Sequence, residues 1–180
     1  MRRLLPVLIL TLAAFPSPAA TLEKLTLDDM VEKSTAIVRG KVLGMARVTQ
    51  SGPLIYTHWK VQVGERWKGP VAGEVEVVTP GGVLGGMRQV FPGVPALEAG
   101  SEYVMFLWTG KSNRTHVIGL SQGLFDLKAD AAGNPMVSRT ASAEVMLDPK
   151  TGREVGDEAV RMRLSELDGR IRRAMAAAVR

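Results

Sequence analysis

Between Leu54 and Val63 the side chains alternate without a break. Ile55, Thr57, Trp59, Val61 and Val63 face one way, and Tyr56, His58, Lys60 and Gln62 face the other. A period of two over ten residues belongs to a strand with one face buried and one face in water, the pattern of an antiparallel sheet. The rest of the chain repeats the theme. Ala36 to Val48 is rich in Val and Ile and is punctuated by Gly40 and Gly44, which predicts a long, coiled strand with bulges or bends. Glu74 to Thr79 and Glu102 to Trp108 read as further strands, and the second is apolar on both faces, as a central strand would be. Short strands follow at Thr115–Gly119 and Leu124–Lys128, and Met136–Ser138 suits an edge. Gln50-Ser51-Gly52-Pro53 and Lys68-Gly69-Pro70 supply the turns.

Several short strands at this spacing predict a mainly β fold, a small antiparallel OB-like barrel. Two helices frame it. Thr26 is the N-cap of a short one, with Asp28 and Asp29 in its first turn and Lys33 in its last. Ser165 opens a C-terminal amphipathic one, with Asp168 reaching back as in a capping box. Leu167, Ile171, Met175 and Ala178 line its apolar face, and Arg170, Arg172 and Arg173 cover the other.

The amino terminus has a different character. Met1-Arg2-Arg3 precedes an uncharged run from Leu4 to Phe15 and then Pro16-Ser17-Pro18-Ala19-Ala20, the three regions of a secretory signal peptide. The run is too short and too soon broken by proline to span a bilayer, and no later segment of the mature chain is long enough to do so. The expected organisation is a signal peptide at 1–20, an OB-like β-barrel domain at 21–140, a loosely ordered connection at 141–164 and the helix at 165–180. The mature protein is expected to be exported, to the periplasm or the extracellular space.

Removing the signal takes Arg2 and Arg3 and lowers the formal net charge of +5. Most of the remaining excess is local, since six arginines lie between Arg161 and Arg180. Nucleic acid as a partner would call for a basic stripe interleaved with aromatics, and there is none. The basic helix would also suit an envelope-associated structural protein. Its apolar residues near the end are mostly small alanines, which pack against protein better than they insert into a membrane surface.

Cysteine is absent, which excludes disulfides, thiol nucleophiles and cysteine-bound zinc. The remaining constellations are incomplete. Gly119-Leu120-Ser121-Gln122-Gly123 matches G-x-S-x-G, so a secreted serine hydrolase using Ser121 is the enzymatic alternative. Yet the residues after it alternate like a strand and no histidine follows Ser121. His58 and His116 lie upstream, but no aspartate occurs between Leu54 and Phe125. Gly110-Lys111-Ser112 lacks the earlier glycine and the following helix of a phosphate loop. Two histidines fall short of the three protein ligands of a catalytic zinc, and both read as solvent-facing strand residues. Glu74 and Glu76 point to one sheet face, as solvated residues would. Asn113-Arg114-Thr115 is an N-x-T glycosylation pattern. No catalytic residue, metal or cofactor is expected.

Two surfaces stand out as binding candidates. One is the polar face of the second strand, with Tyr56, His58 and Lys60. The other is the Pro80–Gly100 stretch, which holds six glycines and three prolines and includes Gly81, Gly82, Gly85 and Gly86. It reads as a long connection with one short strand around Met87–Phe91, and long loops in compact domains are often functional.

The ordered segments Ser34-Thr35-Ala36-Ile37-Val38-Arg39-Gly40-Lys41-Val42, Trp67-Lys68-Gly69 and Ala99-Gly100-Ser101-Glu102-Tyr103-Val104-Met105-Phe106-Leu107 carry a resemblance. Over about Leu27 to Lys128 the chain resembles a group of uncharacterised secreted bacterial domains. More distantly it is similar to the OB-type barrel of netrin-like modules and tissue inhibitors of metalloproteinases. The resemblance implies a barrel and a role in binding an unknown protein partner. The inhibitors' zinc-directed N-terminal cysteine has no counterpart here, so that functional element does not carry over. The expected function is a secreted, non-enzymatic binding module that uses a sheet face and the Gly-rich loop.

Overall fold

The structure, a computed structural model, describes residues 21–142 and 144–178; the signal peptide expected at residues 1–20 lies outside them. The chain is mainly β. A short strand β1 (Thr21–Glu23) leads into α1 (Leu27–Lys33). The long antiparallel pair β2 (Ala36–Ser51) and β3 (Leu54–Lys68) follows, then β4 (Glu74–Pro80) and the two short strands β5 (Gly82–Leu84) and β6 (Met87–Gln89). Next come β7 (Glu102–Thr109), β8 (Thr115–Val117), β9 (Leu124–Ala129) and β10 (Pro135–Arg139). The chain ends through β11 (Val145–Leu147), β12 (Glu154–Val155) and β13 (Val160–Arg163) into α2 (Leu164–Ala177).

The main sheet is antiparallel, in the order β13-β10-β9-β7-β2-β3-β4, with β8 on β7 beside β9. A separate three-stranded sheet, β1-β11-β12, contains a parallel pair, β1 with β11. Segment 141–164, expected as a loose connection, therefore carries three strands, and Met146 within it is fully buried. Its last strand belongs to the main sheet, since Val160–Arg163 pairs with Met136–Arg139.

Strand β7 is central because it is covered on both faces. Val104 and Phe106 join Ile37, Phe125, Leu127 and Val137 under the two helices, which contribute Met30, Val31, Leu164, Leu167 and Ile171. Tyr103, Met105 and Leu107 face a second core with Val38, Val42, Val61, Val77 and Val117. Phe106 and Phe125 meet as a tilted ring pair 5.8 Å apart. The second core is covered because the sheet curls: β4, at one edge, returns beside β8, and His116 Nδ1 donates to the Val78 carbonyl at 2.7 Å across the gap. Among the described residues no backbone ladder joins β4 to β8, so the sheet is curled and not a closed barrel. Strand β4 ends at Pro80, which has no N–H to give to a ladder, and β8 is only three residues long.

Two of the four register shifts between β2 and β3 fall at the predicted glycines, and a further one lies between Ile37 and Val38. The β2–β3 register shifts between Arg39 and Gly40, between Val42 and Gly44, and again between Met45 and Arg47. A Cβ on Gly40 would lie 2.5 Å from Val61 Cγ1, so the two strands approach there only because the side chain is missing. Helix α1 has the predicted cap: Thr26 Oγ1 accepts from Asp29 N–H at 3.1 Å and Asp29 Oδ2 accepts from Thr26 N–H at 2.9 Å. Lys68 Nζ donates to the carbonyls of Val31 and Glu32 at the other end, which also suits the helix dipole.

Helix α2 departs from expectation at its start. Its N-cap is Arg163, without a side-chain cap, and Ser165 lies inside the first turn. Asp168 does not reach back; it accepts from Trp67 Nε1 at 2.6 Å and pairs with Arg172. Leu164 takes the place on the buried face expected for Ala178, which is exposed. Tertiary contact with Trp67 outweighs the local capping signal, whose worth is only about 1 kcal/mol.

Candidate functional site

The candidate residues of β3 divide between faces as the alternation requires. Tyr56 and His58 lie on the outer face, Thr57 and Trp59 turn toward the curled interior and its mouth, and Lys60 is exposed and lines none of the three clefts described below. His58 is not solvent-facing; it is 5% exposed. Its neighbours on both sides explain this. Glu76 on β4 takes its Nδ1 at 2.7 Å, and Thr49 on β2 lies 2.8 Å from its Nε2. The Thr49 hydroxyl donates to Nε2 when the ring is neutral and accepts when it is charged. Arg47, opposite His58 in the register, grips the same carboxylate with two hydrogen bonds of 2.5 and 2.7 Å.

Glu76 is thus a half-exposed carboxylate held by two neighbours and not a free surface residue. Burial pushes its carboxyl upward, but hydrogen bonds from His58 and Arg47 outweigh this and hold it below the ordinary carboxylate range. Thr49, His58 and Glu76 stand in the donor order of a hydrolytic triad. Arg47 shares the carboxylate that a triad would leave to the histidine alone. The arrangement clamps β2, β3 and β4 together, with Arg47 and Thr49 from β2, His58 from β3 and Glu76 from β4.

A second group lies where β4 approaches β8. The Arg114 guanidinium is stacked 4.5 Å above the Tyr56 ring. His116 donates to the Val78 carbonyl from Nδ1, so its proton is on that nitrogen and Nε2 carries none when the ring is neutral. Burial lowers its pKa, the Val78 bond opposes this, and the charges of Arg114 and His58 add to the lowering. Beside these residues is a cavity of about 320 Å³ lined by Val78, Pro80, Pro95, Val117 and Leu120. Arg114 separates it from an open polar groove of about 610 Å³ that includes Arg47, Glu74 and Glu76.

The glycine-rich stretch is more ordered than a loop. Gly85 and Gly86, at φ 57° and 80°, form the two-residue turn of a β5–β6 hairpin, a turn that demands positive φ. Gln89 fixes the hairpin to the main sheet: its Oε1 accepts from Ile55 N–H at 2.7 Å and its Nε2 donates to the Pro53 carbonyl at 2.7 Å. Gly82 packs where a Cβ would be 2.5 Å from Thr57 Oγ1. Gly81 and Gly82 line a cleft of about 470 Å³ with Trp59, Val83, Val90 and Phe91, whereas Gly85 and Gly86 are exposed at the tip. The strand face with Tyr56 and His58 and the cleft with Gly81 and Gly82 are therefore two surfaces that meet at Thr79 and Pro80.

Ser121 lies in the turn between β8 and β9, before a strand and not a helix, and both histidines are engaged elsewhere. The G-x-S-x-G glycines serve packing. Gly123 lies against the Phe106 carbonyl, where a Cβ would be 3.0 Å away, and its own carbonyl accepts from Phe106 N–H. Among the described residues no group of three or more His, Asp or Glu side chains could hold a metal.

Reading the sequence alone missed Arg47, Glu76, Arg114 and His116 as one neighbourhood. Parity along each strand was the available signal, since it puts Glu76 and His58 on the same outer face. What joins them to β8 is the curl of the sheet, which parity does not encode. Comparisons with protein families, with curated proteins and with solved structures find no match to this chain.

Proposed function

We propose that the chain is an exported, non-enzymatic binding module on an OB-like curled sheet, and that it holds an extended apolar segment of a partner protein at the β5–β6 hairpin. The observation that carries this reading is the hairpin's surface. Val83 and Val90 are 61% and 70% exposed beside the cleft, and Met87 is 56% exposed on the hairpin's other face. Large apolar side chains grouped on a short element next to a concave apolar surface mark an interaction site more often than chance exposure. The cleft is preorganised, because Trp59 Nε1 is already bonded to Thr79 Oγ1 at 3.0 Å and its ring is left for contact. The resemblance to netrin-like modules supports the same reading. Export rests on the signal pattern at 1–20.

Photo-crosslinking residues placed at positions 83 and 90, in the cells that make the protein, test the proposal, with position 128 on β9 as the control. The expected result is one discrete protein adduct from positions 83 and 90 and none from position 128. Absence of adducts, or equal yields at all three positions, overturns it.

A further inference from the structure

The cavity beside Arg114 joins an uncommitted cation to an apolar enclosure, on the outer side of the sheet away from the hairpin tip. We propose that it binds a small monocarboxylate with an apolar body, the carboxylate on Arg114 and the body among Val78, Pro80, Val117 and Leu120.

The case begins with the guanidinium. Stacking on Tyr56 uses its face and leaves its N–H edge free for an acceptor. None of the ion pairs or side-chain hydrogen bonds among the described residues involves Arg114, although Arg39, Arg47, Arg139, Arg170 and Arg172 all have carboxylate partners. A half-buried arginine held in one plane with its donors unspent is a preformed carboxylate receptor.

The cavity defines the rest of the ligand. Its walls are two prolines, two valines, a leucine and the Tyr56 ring, with Thr79, Ser112, Arg114 and His116 as the polar groups, and the Thr79 hydroxyl already accepts from Trp59 Nε1. A volume of about 320 Å³ admits a small molecule and not a folded chain. His116 adds no second charge, since its Nδ1 is committed to Val78 and burial favours the neutral ring. One positive charge against an apolar body selects a monoanion over a phosphate dianion, which would call for several donors. The acidic Glu74 and Glu76 line the neighbouring groove and not this cavity. Leu120, which lines the cavity, is held at φ 57°, a conformation that leucine rarely adopts and that concentrates at ligand sites.

The shared chemistry could come from a free aliphatic acid or from the C-terminus of a peptide. Calorimetric titration of the purified protein at pH 7.5 with octanoate, N-acetyl-leucine, octanamide and inorganic phosphate separates the cases. Octanoate or N-acetyl-leucine is expected to bind, the tighter of the two naming the source. The neutral octanamide should bind roughly ten- to hundredfold more weakly than octanoate, the worth of a charge-assisted hydrogen bond. Phosphate should not compete. Arg114→Gln should erase the preference for the acid over the amide, and Arg114→Lys should keep part of it. Amide shifts on binding should centre on Val117 and Leu120, which locates the ligand even if Arg114→Gln fails to fold. Equal binding of acid and amide, no binding at millimolar concentration, or shifts centred elsewhere overturns the proposal. The double variant Val83→Ser/Val90→Ser should leave octanoate binding unchanged, so failure here and failure of the hairpin reading are distinct results.

Discussion

Gln122 holds the backbone of Leu25: its Oε1 accepts from the Leu25 N–H at 2.9 Å while its Nε2 donates to the Glu23 carbonyl at 2.9 Å. The side chain is 1% exposed, and the two bonds tie the segment between β1 and α1 to the β8–β9 turn. Within Gly119-Leu120-Ser121-Gln122-Gly123 the fold thus uses the glutamine as well as the glycines, and not the serine side chain. Gln122→Ala should strand a buried donor and acceptor and destabilise the protein by about 2–4 kcal/mol, whereas Ser121→Ala should change stability by less than about 0.5 kcal/mol. Urea unfolding checks both, through a lower midpoint at unchanged slope for the first variant. Faster hydrogen exchange at the Leu25 amide should accompany it.

Arg139 and Asp157 form an ion pair whose side chains are only 10% and 3% exposed. Asp157 also accepts from Ser142 N–H at 2.8 Å. Burial raises its pKa, but the Arg139 and Ser142 hydrogen bonds outweigh burial and hold it below the ordinary value. Asp157→Ala should cost about 3–5 kcal/mol, because it leaves the Arg139 charge buried without a partner. The double replacement Arg139→Met/Asp157→Leu should recover most of that loss. A depressed carboxyl pKa contributes stability above the unfolded value of about 4 and loses it as pH falls through the folded value. The wild type should therefore weaken below about pH 4 more steeply than Asp157→Ala, as denaturant midpoints across pH 2.5–6 would show.

The strands were legible because alternation and glycine report local geometry directly. Gly40 and Gly44 mark two of the four register shifts of β2, Thr26 marks the cap of α1, and the doubly apolar run in β7 marks the centre of the sheet. Parity also assigned His58 to the outer face, but whether that face is covered depends on which side chains flank it across the register. The shift between Met45 and Arg47 sets Arg47 and Thr49 on one side, and β4 brings Glu76 to the other. The hairpin was hidden for a related reason. Glycines that make a turn and glycines that admit a neighbour look alike in sequence, so Gly85 and Gly86 were not separable from Gly81 and Gly82. Asp168 illustrates the same limit, since its partner Trp67 lies far off in the chain.

That distinction between glycines is measurable. Gly82 has φ 141°, and an added Cβ would be 2.5 Å from Thr57 Oγ1 and 3.3 Å from Ile55 Cγ2. Gly82→Ala should cost about 2–3 kcal/mol, from backbone strain and a contact with the fixed β3 surface. Gly85 has φ 57° with open space around it, so Gly85→Ala should cost about 1 kcal/mol from conformation alone. Thermal unfolding of the two variants should rank them in that order. An equal loss would mean that the hairpin does not pack on Ile55 and Thr57.

His116 makes the seam between β4 and β8 sensitive to pH. It donates to the Val78 carbonyl, and burial lowers its pKa from the ordinary 6.5, with Arg114 and His58 nearby adding positive charge. The folded state therefore disfavours the proton more than the unfolded state does. As pH falls through about 6.5 the unfolded chain takes up the proton first, so stability declines until the folded pKa is reached and is level above the unfolded value. This window lies above the one in which Asp157 and Glu76 act. His116→Gln keeps a donor within reach of Val78 and cannot titrate. Its stability relative to wild type should rise as pH drops from 7.5 to 5.5, with His58 and Glu76 common to both proteins. Denaturant midpoints of the pair at half-unit steps check this, and a constant difference across the window would show that His116 does not titrate differently on folding.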